Sequence, residues 1–180
     1  MRERDWLAIC VAPLAAFVVP VYGEDYVSAE QAQKLLFPSA QAFVQHDVAL
    51  TAAQMSAIKK RAGVRQRWQR QAVWQALNKD EFLGWFIVDE VIGKHEFITY
   101  GLAVSPQGAV LGLEILSYRE THGGEVREAA WREHFKGKTL SDPFKLDEDV
   151  PNISGATLSS RNILDGVKRL LVLQQLVLQQ

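Results

Sequence analysis

The chain has 180 residues, 48% of them hydrophobic and 23% charged, with a formal net charge of −1 and a pI near 6.4. That length and composition suit one soluble domain with a single core. No global basic field is available to hold a phosphate backbone, which argues against nucleic acid as a partner. The single cysteine, Cys10, rules out an internal disulfide, and no residues have zinc-ligand spacing.

The first element is the apolar stretch Trp6 to Tyr22, which follows Arg2 and Arg4 and precedes Glu24-Asp25. A basic start, an apolar middle and small residues before a cut are the marks of a secretory signal. Val21 and Gly23 can serve at the -3 and -1 positions, and Pro20 ends the apolar run just before them. Glu3 and Asp5 dilute the basic start, and the segment lies near the lower length limit for crossing a bilayer. Residues 1–23 are therefore read as a signal peptide or an N-terminal membrane anchor. The chain is expected to be exported, either periplasmic or attached to the outer face of the cytoplasmic membrane. Bulky Ile9 before Cys10 argues against lipoprotein processing. Cleavage would leave a cysteine-free chain, which suits an oxidising compartment.

Residues 24–80 read as a helical and strand extension. Ser28 and Gln31 form a capping-box pattern that opens a short helix, and Phe37-Pro38 stops it. Ala42, Val44 and Val48 alternate as in a half-buried strand. Thr51 and Gln54 repeat the capping box ahead of a second helix. Lys59, Lys60 and Arg61 lie in its last turn, and Gly63 is the stop. The wider basic cluster, with Arg65, Arg67 and Arg70, reads as a solvated helix end and loop. Ala72 to Leu77 reads as a strand, and Asn78-Lys-Asp80 as a turn.

Residues 81–180 are the expected ligand-binding domain. The runs 82–88, 98–104 and 110–116 are β-prone, the last two joined by the turn residues Ser105-Pro-Gln-Gly108. The fold class that follows is α+β, an antiparallel sheet of three or four strands packed with helices. Glu125 to Phe135 has helical spacing. The last helix is expected to start near Thr157, with Ile163, Leu164, Val167, Leu170 and Leu171 as its buried stripe. The chain ends in a direct repeat, Leu171-Val-Leu-Gln-Gln175 and Leu176-Val-Leu-Gln-Gln180, whose period of five fits neither an α-helix nor a strand.

The most informative stretch is Ser154-Gly155-Ala156-Thr157-Leu158-Ser159-Ser160. It is a glycine-containing turn entering a helix. The first backbone N–H groups of a helix lack intrahelical partners, and its dipole favours an anion there. Gly155 and Ala156 permit close approach, so a phosphate would be well held. The alternative is that Ser154 or Thr157 simply caps the helix. A second candidate is the turn Glu120-Thr121-His122-Gly123-Gly124, whose glycines would let backbone lie against a flat ring. Lesser candidates are His95 beside Glu96, His122 as a proton relay, Asp147-Glu-Asp149 as a cation loop, and Trp68, Trp74, Trp85 and Trp131 as ring shields. No hydrolase triad, phosphate-binding P-loop or dinucleotide fingerprint is present.

Ser-Gly-Ala-Thr followed by Leu-Ser-Ser resembles the flavinylation motif of the FMN-binding domain family. That family includes the flavin-bearing subunits of Rnf-type and sodium-translocating NADH:quinone reductase complexes. Glu120, Thr121, Gly123 and Gly124 match a second family segment, Glu-Thr-Pro-Gly-Leu-Gly, with His122 in place of proline and no leucine between the glycines. The resemblance spans roughly Phe82 to Leu171. It implies FMN as cofactor, esterified through its phosphate to Thr157 by a separate flavin transferase that draws FMN from FAD with magnesium. Ser154, Gly155, Ala156 and Leu158, with Glu120, Thr121, Gly123 and Gly124, would surround it. It also implies an electron carrier rather than an enzyme, relaying electrons to or from a membrane-bound complex. The family's usual aspartate six residues before the threonine is replaced here by Pro151, and the nearest upstream acid is Asp149. A reductase holding FMN non-covalently and a flavin-free exported interaction domain are the alternative readings.

Overall fold

The computed structural model describes residues 27–179; the expected signal or anchor segment lies outside them. Five strands form one antiparallel sheet in sequence order: β1 (Ala42–Ala49), β2 (Arg70–Asn78), β3 (Glu81–Ile92), β4 (Phe97–Val104) and β5 (Val110–Tyr118). The α+β expectation holds, with five strands rather than three or four. Helix α1 (Ala29–Leu36) precedes the sheet and α2 (Ala52–Ala62) joins β1 to β2. The expected helix at 125–135 is broken into a 3₁₀ turn, Gly124–Arg127, the single turn α3 (Ala129–Arg132) and another 3₁₀ turn, Glu133–Phe135. Helix α4 (Thr157–Leu173) closes the chain and passes into a π-helical turn, Gln174–Leu178. Residue 80, the expected boundary, falls in the β2–β3 turn, and β1 and β2 belong to the same sheet as β3 to β5.

Side chains alternate along each strand, so the sheet has two packed faces. Trp85, Ile87 and Val91 of β3 and Ile98, Tyr100, Leu102 and Val104 of β4 meet the buried stripe of α4 and Ile58 of α2 in the main core. Phe86 and Ala103 point the other way, into a smaller cluster with Ala32 and Phe37 beneath α1. In β5 the register slips between the pairs Tyr100–Ile115 and Thr99–Ser117, leaving Leu116 as an extra residue. A bulge of this kind shifts the alternation by one. Leu116 therefore joins the α1 side, while Tyr118 returns to the main core with Leu113 and Ile115.

Helix α4 is braced at two levels. Arg169 donates to Asp89 and to Gln66, and the Tyr100 hydroxyl donates to the same Asp89 carboxylate at 2.7 Å. Gln66 also donates to Gln71, which in turn donates to the Val88 carbonyl. Pairing and hydrogen bonding are what make a charge tolerable at this depth, where Asp89 is 2% and Arg169 4% exposed. Burial, then the Asp89 charge, push the Tyr100 hydroxyl well above the usual phenol range. At the far end, the five-residue repeat finds its physical reading. The Gln179 N–H bonds to the Gln174 carbonyl, an i→i+5 bond. The two glutamine side chains then both donate to the Pro106 carbonyl of the β4–β5 turn.

Candidate functional site

Residues 151–156 run into α4 with Ala156 as its N-cap, and no side chain caps the helix. Of the two readings of this stretch, the cap by Ser154 or Thr157 is thereby absent. Gly155 has φ +79, a conformation that turns the chain sharply into the helix, and a Cβ there would meet nothing within 4 Å. Thr157 is half-buried and its hydroxyl makes no hydrogen bond among the described residues. The free backbone N–H groups of the first helical turn and the positive end of a 17-residue helix thus coincide with an uncommitted hydroxyl. The Ser160 hydroxyl is turned back to the Ala156 carbonyl, and Ser159 is buried against the Tyr118 phenol.

A cavity of about 410 Å³ opens on this helix start, within the size of small-molecule sites. One wall is Gly155 to Ser159; the other is made by Lys94 and His95 of the β3–β4 turn and by Glu120, Thr121 and His122 after β5. The bulge in β5 positions this second wall. It brings Tyr118 to the α4 side, where its hydroxyl donates to the His122 carbonyl. Burial raises the Tyr118 pKa; the Ser159 hydrogen bond opposes this and the charges of Glu120 and Glu125 add to it. Burial likewise pushes the Glu120 carboxyl up. The N–H groups of Glu96, His95 and Lys94 outweigh it and, with the His95 ring, hold the group below the ordinary carboxylate range.

The chain matches the FMN-binding domain family over residues 93–172. The matched stretch begins at the β3–β4 turn and takes in β4, β5 and nearly all of α4, so both walls of the cavity lie within it. One subunit of the ion-translocating oxidoreductase complex of Cereibacter sphaeroides, the same in two strains, is 34% identical over 83 residues, which is 40% of this chain and 38% of the relative. The chain thus spans well under half the length of these relatives. The crystal structure of Shewanella oneidensis NqrC superposes with a TM-score of 0.53 at 18% identity, covering 77% of this chain and 81% of that one, and shows the same fold.

The geometry fits FMN in its donor chemistry: an anion-ready helix start and a cavity with Lys94 and two histidines on the facing wall. Of the residues singled out from sequence, Thr157, Gly155, Ala156, Leu158, Glu120 and Thr121 line the cavity; so do His95 and His122. Ser154 is exposed beside it. Gly123 and Gly124 stand behind the lining. Gly123 has φ +85, and a Cβ there would lie 2.1 Å from that of Ala156, so this glycine lets the two turns close on each other. Gly124 packs against the Arg127 guanidinium. Trp68, Trp74, Trp85 and Trp131 do not line the cavity, and Trp85 and Trp131 are buried in the main core. Asp147 and Asp149 organise their own loop: Asp147 accepts the Asn152 N–H, while Asp149 accepts those of Phe144 and Lys145 and pairs with Lys138 at 2.9 Å. Burial pushes the Asp149 carboxyl up; the Lys138 hydrogen bond and charge and the N–H donors overcome it and lower the pKa. No cluster of three metal-ligating residues occurs among the described residues.

Lys94 and Gly93 were not singled out from sequence. Gly93 carries no local motif, and its importance comes from a carboxylate 27 positions away in the chain. A larger groove of about 640 Å³ lies between α1 and β5, but it presents leucines and a Glu-Arg-Lys rim rather than helix-start donors.

Proposed function

We propose that the chain is an extracytoplasmic electron carrier whose FMN is held at the start of α4 and bonded through its phosphate to the Thr157 hydroxyl. The observation that carries this reading is the uncapped helix start with a free threonine hydroxyl opening on a cavity, inside the segment that matches the FMN-binding domain. The N–H groups of Thr157, Leu158 and Ser159 would hold the phosphate. Lys94, His95, Thr121 and His122 would face the rest of the cofactor. When bound, FMN supplies one- or two-electron redox chemistry, and the protein contributes position and electrostatics.

The relatives named as subunits of an ion-translocating oxidoreductase complex support a partner of that kind: a membrane-bound complex that gives or takes electrons. A separate flavin transferase would form the bond. The apolar residues 6–22 support export and attachment to, or release from, the outer face of the cytoplasmic membrane. A tether also suits an exported carrier, because a bonded cofactor cannot be diluted away.

One observation favours a second reading, in which FMN binds without the covalent bond. The family's usual acid is Pro151 here, and the carboxylate of Asp149 is already committed to Lys138 and two backbone donors. Co-expression with a flavin transferase, denaturing-gel fluorescence and peptide mass mapping separate the two. Flavin on the Thr157 peptide establishes the bond. Flavin that leaves on denaturation establishes binding alone. A folded chain without flavin, after exposure to both transferase and free FMN, removes the FMN reading altogether.

A further inference from the structure

The β3–β4 turn is held from outside by one side chain. Gly93 to Glu96 link the two strands, and the Gly93 N–H bonds to the Glu96 carbonyl at 2.7 Å. Within this turn the N–H groups of His95 and Glu96 both point at one oxygen of Glu120, at 2.6 and 3.0 Å. That oxygen lies where a side chain at residue 93 would begin. A Cβ on Gly93 would be 2.3 Å from Glu120 Oε1 and 3.0 Å from its carboxyl carbon. On the other side of the turn, the Asn162 amide of α4 donates to the Ile92 carbonyl at 2.7 Å.

We propose that Glu120 is a positioning residue for the flavin: its carboxylate, seated in the notch left by Gly93, latches the 93–96 turn shut as one wall of the cavity and so fixes Lys94 and His95 toward the cofactor. This rests on the FMN reading above. It assigns Glu120 a part different from ring contact, because one carboxylate oxygen, Oε1, is spent on two backbone donors of the turn. A carboxylate suits the task, since it accepts several N–H bonds at once and its charge strengthens each. Glycine at 93 is required by space alone. Its φ lies outside the left-handed region, so alanine there brings no backbone strain. The clash falls on the far end of a flexible side chain, which swings out at little cost to the fold. Gly93→Ala is therefore a clean way to open the latch without touching Glu120.

The test compares the full chain with G93A, E120A, E120Q and the double variant G93A/E120A, each co-expressed with a flavin transferase. Amide hydrogen exchange is read first on flavin-free protein. The His95 and Glu96 amides are expected to exchange about tenfold faster or more in G93A and E120A, the scale of losing bonds to a charged acceptor. On the loaded protein, G93A, which keeps the Glu120 charge, is expected to lower the flavin midpoint potential, because the turn carries the Lys94 ammonium away and a positive group favours the reduced cofactor; E120A also removes a carboxylate, which acts in the opposite direction. The double variant should match E120A in both exchange and potential, since with Glu120 gone Gly93→Ala has no latch left to open. E120Q keeps an acceptor oxygen, and its His95 and Glu96 amides should exchange more slowly than those of E120A. Unchanged exchange in G93A and E120A overturns the latch. Faster exchange with an unaltered potential and spectrum overturns the positioning role. A wild-type chain that takes up no flavin sinks the FMN reading and this role with it, a result distinct from a latch that fails in a loaded chain.

Discussion

The three longest helices begin in two different ways. At α1 the Ser28 hydroxyl accepts the Gln31 N–H at 3.2 Å, and the Gln31 side chain returns to the Ser28 N–H at 2.9 Å. Thr51 and Gln54 do the same at α2, at 3.2 and 2.9 Å. Helix α4 begins on Ala156 with no side chain capping the N–H groups of its first turn. The first two helices have spent donors on themselves, and the third has kept them. What marks the helix proposed to hold the flavin is thus a cap withheld beside a cavity, and a threonine one residue too late to serve as one.

The comparison is broken or sharpened most strongly at Thr157. Thr157→Ala is expected to abolish covalent flavin completely, read as loss of fluorescence on a denaturing gel, while moving the urea midpoint very little. Thr157→Ser keeps a hydroxyl and should keep partial loading. If Thr157→Ala instead costs about 1 kcal/mol, the scale of a lost N-cap, then Thr157 caps α4 and the contrast fails.

Next in size is the brace that holds α4 to the sheet. Arg169→Met leaves the Asp89 carboxylate buried with only the Tyr100 hydroxyl as donor. A stranded buried charge of this kind costs about 3–5 kcal/mol, measurable by chemical denaturation. Ser28→Ala and Thr51→Ala should each cost about 1 kcal/mol and leave flavin loading untouched. A loss of loading in either would tie the cavity to the far helices.

The smallest effect is in acid. Glu120 and Asp149 both have lowered pKa values in the folded chain, so each binds its proton less readily there than when unfolded. Their contribution to stability is present at neutral pH, above the unfolded carboxylate value, and is lost as pH falls through the lowered folded values. Thermal midpoints should therefore fall on acidification. Glu120→Gln should flatten part of that dependence, and a slope identical to wild type would show that Glu120 does not contribute.

Much of this was legible in the residues. Both capping boxes, all five strands and the start of α4 follow from local patterns with a local physical cause: a hydroxyl three residues before a glutamine, alternation on a pleated strand, a glycine turn before an apolar stripe. The cavity's helix-side wall was legible for the same reason, since its residues are contiguous. Its other wall was only half legible. Thr121 and His122 stand in a motif, but Lys94 comes to the cavity through a turn 24 to 26 positions from the carboxylate that holds it. The helix expected at 125–135 is interrupted at Glu128, whose backbone is extended between the 3₁₀ turn and α3. The buried Asp89–Arg169 pair joins positions 80 apart, and no periodicity announces it.

The glutamine clamp on Pro106 has a consequence at the opposite end of its helix. An α-helix turns by about 100° and advances about 1.5 Å per residue. A helix pinned to the sheet by Arg169 and to a hairpin by Gln174 and Gln179 has a fixed rotational phase, and that phase sets the direction in which residue 157 looks. One residue inserted between Thr157 and Arg169 would leave every core contact below it in place and swing the threonine hydroxyl about a quarter turn around the axis. The distance along the chain from brace to hydroxyl is in this sense a dial setting, and the Arg169 brace and the glutamine clamp together keep the dial from turning.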